Sequence, residues 1–212
     1  MPSIKNAFGL CPMIAIIRGA ETSSIPSIGK ALLRAGVKIV EVPLNSPSPY
    51  DSIAMLKETV GEAMVVGAGT VLNPNQVIDV AEAGGEICVS PNTDCDVIEA
   101  ALSAGIEPIP GYQTPTEAFK AIHAGASWLK CYPVNCIGPS GIKALRDVIA
   151  DSVKLIAVGG VSAENVEAYL QAGCNGVGLA GSLFRPGDSA EQVEIRARAM
   201  VEAIRRSIGV AT

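Results

Sequence analysis

One pattern of apolar and polar positions returns along the chain: an apolar stripe at helical spacing ends in Ala-Gly, and a short apolar run follows. It reads RAGVKIVEV, EAGGEICVS, SAGIEPIPG, HAGASWLKCYP and QAGCNGVGLAG, with the glycines at Gly36, Gly84, Gly105, Gly125 and Gly173. Glycine just past a helix end takes the left-handed C′ conformation without steric cost. A short continuous apolar run is what a strand buried on both faces requires. Each phrase therefore predicts a helix, a stop and a buried strand.

Carried over the whole chain, the pattern predicts eight strands near 14–18, 37–42, 64–68, 86–90, 106–110, 127–132, 154–158 and 176–180. Helices are predicted near 23–35, 49–59, 74–83, 94–104, 115–124, 139–149 and 162–172, with a last one near 189–207. Asn73-Pro74 and Thr114-Pro115 read as N-caps followed by proline at N1, and Ser162 with Asn165 as a looser cap. Strict alternation of strand and helix implies parallel strands with right-handed crossovers, and eight such units imply an α/β fold of the (β/α)8 TIM-barrel type. A single domain, 1–212, is expected, short for a fold that typically takes ~250 residues. The rival is an open doubly wound sheet, but GAGTVL at 67–72 lacks the third glycine of its dinucleotide fingerprint.

Composition narrows the function classes. With 49% apolar and 17% charged residues the chain can build a large core. The net charge is −5 and no basic block occurs, so neither nucleic acid nor an anionic membrane is an expected partner. The six cysteines, Cys11, Cys88, Cys95, Cys131, Cys136 and Cys174, form no C-x-x-C and suggest a reducing compartment. No apolar run approaches ~18 residues and no clear signal-peptide cleavage site appears, so a cytoplasmic protein is expected.

A barrel of this kind carries its active site where the strands end. The polar or turn residues expected there are Arg18, Glu41 with Asn45 beyond it, Thr70, Pro91, Lys130, Gly159-Gly160-Val161 and Gly181-Ser182. Of eight lysines only Lys130 falls in the C-terminal half of a strand. A buried ammonium is costly, so such a lysine either snorkels out, pairs with a carboxylate, or is a nucleophile. Burial lowers its pKa by as much as ~3–5 units, and a neutral amine can attack a carbonyl to form a Schiff base. Glu41 is the one carboxylate expected at this face; it suits a proton relay, or else a plain ion pair with Arg18 or Lys130. The single histidine, His123, falls late on a helix away from this face, which leaves little room for a Ser-His-Asp triad, and the count excludes a His-rich metal site. The paired glycines either make tight turns or let a phosphate approach backbone N–H groups, with Ser182 adding a hydroxyl. Arg18 and Thr70 suit a substrate carboxylate.

Taken in order, these residues resemble the class I, Schiff-base aldolases that cleave 2-keto-3-deoxy-6-phospho sugar acids. The matching stretches are IAIIRG at 14–19, VEVPLNSP at 40–47, VGAGTVLNPNQV at 66–77, VSPNTD at 89–94, IPGYQTPTEAFKAIHAGASWLKCYP at 109–133 and IAVGGVSAENVEAYLQAGCNGVGLAGSLF at 156–184. The resemblance implies that Lys130 forms the imine and Glu41 moves protons. It implies that Thr70 and Pro91 line the pyruvate end, and that Gly159, Gly160, Gly181 and Ser182, with Val161 beside them, bind phosphate. It also implies a homotrimer that needs no metal or cofactor beyond the covalent imine on Lys130 and releases pyruvate and D-glyceraldehyde 3-phosphate. The gluconate branch of that family carries an arginine four residues after its glutamate; here the place is Asn45, and Arg18 closes the first strand. Both features match the galactonate branch, so a 2-dehydro-3-deoxy-6-phosphogalactonate substrate is expected, with the gluconate epimer as the alternative. Two readings from other classes remain at this point: a metal-dependent pyruvate aldolase, and a barrel that only binds a phosphate ligand. Tyr112, Gln113 and Tyr132 are expected near the mouth, in substrate contact or subunit packing.

Overall fold

The structure, a computed structural model, describes residues 3–209, so the first two and last three residues of the expected domain lie outside the described residues. The strands are β1 (Met13–Ile16), β2 (Ile39–Pro43), β3 (Val65–Gly69), β4 (Ile87–Val89), β5 (Glu107–Ile109), β6 (Gly111–Tyr112), β7 (Trp128–Cys131), β8 (Lys154–Val158) and β9 (Gly176–Leu179). They form one sheet in the order β5-β4-β3-β2-β1-β9-β8-β7-β6, and its pairs, from β1 with β2 and β9 to β7 with β6, run parallel. The two ends of that order, β5 and β6, are separated by a single residue, Pro110. The sheet thus closes through the chain itself, and the expected TIM barrel is what forms.

The fifth predicted strand is therefore two short ones. Pro110 has no N–H to give to a ladder, so the hydrogen bonding breaks there. Its carbonyl still accepts from the Lys130 N–H at 2.8 Å, which ties β7 to the seam. Gly111, next along, has no room for a side chain: a Cβ would lie 2.3 Å from the Pro91 carbonyl.

The helices are α1 (Ile4–Leu10), α2 (Ile25–Arg34), α3 (Pro49–Val60), α4 (Pro74–Glu82), α5 (Cys95–Ser103), α6 (Pro115–His123), α7 (Val134–Arg146), α8 (Val166–Gln171) and α9 (Ala190–Ser207). Each of the five Ala-Gly glycines sits at positive φ, from 72° at Gly105 to 107° at Gly173, as a C′ glycine should. Asn73 caps α4, and Thr114 forms a full capping box with Glu117 at the start of α6. The cap expected from Ser162 with Asn165 does not form: the Asn165 side chain turns back to accept from the Ser162 N–H, and α8 starts later and shorter than the pattern implied. Helix α7 begins before the predicted 139 because a first turn after Pro133 is joined across a non-helical Gly138 (φ 70°, ψ 170°) to the piece that opens at Pro139.

Alternation along the strands divides the core in two. One set of side chains, including Leu129, Cys131, Leu155 and Ala157, packs outward under the helices. The other, including Ile14, Ile39, Val65, Ile87, Trp128 and Ile156, fills the barrel. Helix α1, which the apolar pattern did not predict, supplies the plug. Its Phe8 meets Trp128 edge to face with centroids 4.9 Å apart. A Cβ at Gly176 would lie 2.3 Å from the Phe8 ring, so that glycine makes the space the plug fills. The lower barrel is thereby packed, and the inward positions above it are left for polar side chains.

Candidate active site

Two inward positions in the upper barrel carry charge. Lys130 follows Trp128 by two in β7, so it shares that residue's inward face, opposite Gly111 on one side and Ile156 on the other. It is 4% exposed. Burial pulls its pKa down from the ordinary lysine value; the nearby Arg18 charge adds to this, and Glu41 works against it. Among the described residues the Nζ makes no hydrogen bond or ion pair within 4.0 Å, and it lies over the Tyr132 ring, whose centroid is 4.7 Å away. Burial thus shifts this amine towards its neutral form, and no protein acceptor among the described residues engages it.

Glu41 was expected at the end of its strand; it lies in the middle of β2, because the ladder continues through Pro43 in register with Gly69. It is 1% exposed, and its Oε2 is buried with no hydrogen-bond partner. Burial pushes its pKa up to about 7, against the pull of Lys130 and then of Arg18. The plain ion pair entertained from sequence is not what forms, since no partner stands within bridging distance among the described residues. The carboxyl is instead poised to exchange a proton near neutrality. Gly69 explains its position: a Cβ there would lie 1.9 Å from the Glu41 Oε2. The two glycines of GAGT thus serve neither a dinucleotide nor a turn. Gly69 seats the carboxylate, and Gly67 lets the backbone of β4 approach, since its Cβ would meet the Ile87 carbonyl at 2.2 Å.

The loops above these two residues enclose a cavity of about 740 Å³. Its walls carry Arg18, Thr70, Pro91, Lys130, Gly159, Gly160, Val161, Gly181 and Ser182, so nine of the residues singled out from sequence meet around one space. Thr70 stands at φ 59°, an unusual conformation for a β-branched residue and the kind of local strain that active sites hold. Gly159 and Gly160 are both at positive φ, 101° and 78°. The backbone N–H groups of Gly160, Val161, Gly181 and Ser182 donate to no acceptor among the described residues, and the Ser182 hydroxyl is equally uncommitted. Together they make a cradle of donors suited to an oxyanion.

Asn45 is not on the wall. Its Oδ1 accepts from the Arg18 guanidinium at 2.6 Å, while the neighbouring Ser46 hydroxyl accepts from the Gly19 N–H at 2.9 Å. The two residues that set this sequence apart from the gluconate pattern are thus one hydrogen-bonded unit. Tyr132 lies at the mouth as expected. Tyr112 does not: it pairs in register with the outward-facing Cys131 and is buried under the helices. Gln113 stays exposed, its N–H bound to Glu117. Ser162 and Arg185 also line the cavity and were not singled out. For Arg185 the one available signal was a cation three residues beyond Ser182.

The sequence matches the family model described as "KDPG and KHG aldolase" over residues 4–201. It is 41% identical over 197 residues to the 2-dehydro-3-deoxy-6-phosphogalactonate aldolase of Escherichia coli K12, covering 93% of this chain and 96% of that one. It is 43% identical to a probable 2-dehydro-3-deoxy-6-phosphogalactonate aldolase of Rhizobium meliloti, over 91% of each chain. Among solved structures, one titled "Native KDPGal structure" superposes with a TM-score of 0.92 at 41% identity, covering 93% of this chain and 96% of that one. A family match of this extent, on a barrel that buries one lysine and one glutamate among its strands, establishes that the chain belongs to the KDPG and KHG aldolase family and is a carbon–carbon lyase.

Proposed function

We propose that the enzyme cleaves 2-dehydro-3-deoxy-6-phosphogalactonate to pyruvate and D-glyceraldehyde 3-phosphate through an imine on Lys130. The observation that carries this reading is one buried amine, its pKa lowered, sharing a barrel with one buried carboxyl, its pKa raised. The Lys130 amine adds to the substrate C2 carbonyl, and loss of water from the carbinolamine gives a protonated imine. The imine accepts the electron pair of the C3–C4 bond as that bond breaks and the C4 hydroxyl loses its proton. This frees the aldehyde and leaves an enamine. Protonation at C3 and hydrolysis then release pyruvate and restore the amine. We assign these protons to Glu41, which lies below the cavity wall; the reading is supported by its pKa near 7, which lets it both accept and donate, and by the Lys130 charge that acts on it.

The free N–H groups at 160–161 and 181–182 support phosphate binding at one end of the cavity, and Arg18 supports carboxylate binding, with Thr70 and Pro91 beside it. The Arg18–Asn45 unit and the names of the relatives favour the galactonate epimer. The same reading includes a homotrimer, which light scattering would test, and a cytoplasmic location, supported by six free cysteines, four of them buried. The mechanism needs no metal ion, so turnover should survive a chelator.

Borohydride reduction in the presence of pyruvate, followed by peptide mass spectrometry, tests the mechanism. A reduced pyruvyl adduct on Lys130 is expected. Turnover without such an adduct would refute the imine and bring the metal-dependent reading forward. Kinetic comparison of the two epimeric sugar acids then decides the substrate, and a gluconate preference would overturn the galactonate assignment.

A further inference from the structure

The cavity holds a charge imbalance that the proposed cradle does not resolve. A phosphate monoester carries about −1.5 to −2 charge at pH 7. Backbone N–H groups orient such a group without neutralising it. The charged side chains on the cavity wall are Arg18, Lys130 and Arg185, with no acid among them. Lys130 is committed to the carbonyl carbon and is held towards its neutral form by burial. Arg18 is drawn to the β2 loop by Asn45. Arg185 alone stands in the loop that carries Gly181 and Ser182.

Its setting is built. The Arg185 Nε donates to the Gly181 carbonyl at 3.1 Å, so the guanidinium is fixed to the cradle's own backbone. Its backbone N–H donates to the Asp188 Oδ2 at 2.7 Å, which fixes the start of the side chain. Asp188 is itself occupied by Arg196, through both carboxylate oxygens. Among the described residues the Arg185 guanidinium has no carboxylate within 4.0 Å, though its charge and that of Asp188 act on each other from farther off, and its two terminal nitrogens make no hydrogen bond. A guanidinium anchored at Nε and open at both terminal nitrogens presents a two-pronged donor to an anion.

We propose that Arg185 supplies the counter-charge for the substrate's phosphate, and that this residue sets the enzyme's preference for phosphorylated over unphosphorylated sugar acids. The proposal rests on the function given above but is tested apart from it. Binding of inorganic phosphate to the wild-type protein and to Arg185→Gln and Arg185→Lys is measured by calorimetric titration in the presence of pyruvate. The glutamine variant should bind phosphate about 10- to 100-fold more weakly, the loss of a charge-assisted contact, and the lysine variant should fall between the two because it keeps charge without the fork. In parallel, the ratio of kcat/KM for a phosphorylated 2-keto-3-deoxy sugar acid to that for its unphosphorylated counterpart should fall by a similar factor in Arg185→Gln. Unchanged phosphate affinity, or equal losses on the two substrates, would overturn the proposal. If the wild type cleaves neither epimeric sugar acid, the function falls, while the phosphate titration still decides the role of Arg185.

Discussion

Replacing Glu41 by glutamine should remove activity and change how stability depends on pH. In the unfolded chain Glu41 titrates at its ordinary value of 4.5; in the folded protein burial holds it up at about 7. Below 4.5 both states are protonated and no penalty exists. Between the two values the unfolded chain ionises first, the folded state binds more protons, and stability falls as pH rises. Above about 7 both are ionised and the penalty is complete. At ~1.4 kcal/mol for each pH unit, the gap between 4.5 and about 7 amounts to about 3 kcal/mol. Glutamine has nearly the same shape and no titration, so its own burial cost is independent of pH. The stability of the variant relative to the wild type should therefore improve by about 3 kcal/mol from pH 4.5 to pH 8, a relative shift in Tm of ~6–12 °C for a chain of this size. Urea denaturation of both proteins at pH 5, 6, 7 and 8 measures the difference. Parallel curves would refute a raised pKa, and a wild type that gains on the variant as pH rises would show a carboxylate stabilised by Lys130 instead. Cleavage by the variant should drop by ~10²-fold or more, because the proton relay is gone.

Gly69→Ala should cost kcat a similar factor with circular dichroism unchanged, since a Cβ at 1.9 Å from Oε2 must push the Glu41 carboxyl from its seat; an active variant would contradict that placement. Asn45→Ala removes the 2.6 Å bond to Arg18 and should raise KM for the sugar acid about 5- to 10-fold with kcat little changed; a loss confined to kcat would show that Arg18 does not hold the ground-state substrate. Phe8→Ala empties the barrel's plug, 5% exposed in the wild type, and should destabilise by about 3–5 kcal/mol in urea; a loss under ~1 kcal/mol would mean that α1 is not part of the core.

The parts of this molecule legible in its sequence are those governed by local rules. Ala-Gly at a helix end demands positive φ wherever it occurs, and Asn73-Pro74 or Thr114-Pro115 caps a helix without help from the rest of the fold. Lys130 stood out because a lysine in an apolar strand has few explanations. What escaped depends on tertiary placement. Helix α1 is seven residues long, too short for a periodic stripe, and its role as a plug exists only once a barrel is present to receive Phe8. The break at Pro110 was written in the sequence, but its consequence needed the knowledge that this strand closes the ring. Tyr112 was misplaced through its register, for it pairs with Cys131, one position out of phase with Lys130, and one step along a strand reverses the face. Arg185 offered only its spacing, a cation three residues beyond Ser182, and its significance comes from the unpartnered donors around it.

The seam at Pro110 bears on how the protein avoids association through its sheet. An open row of nine strands ends in two edges, each a template for pairing with another chain. Here both edges belong to consecutive segments on either side of one residue, so neither can be reached while the chain is intact. A proteolytic nick or a circular permutation at Pro110 would free both at once and loosen the carbonyl that holds the Lys130 amide. A cut in a helix-to-strand turn would leave every strand neighbour in place. The soft point of the ring is a single peptide linkage beside the strand that carries Lys130, and new termini are better placed in the helix-to-strand turns.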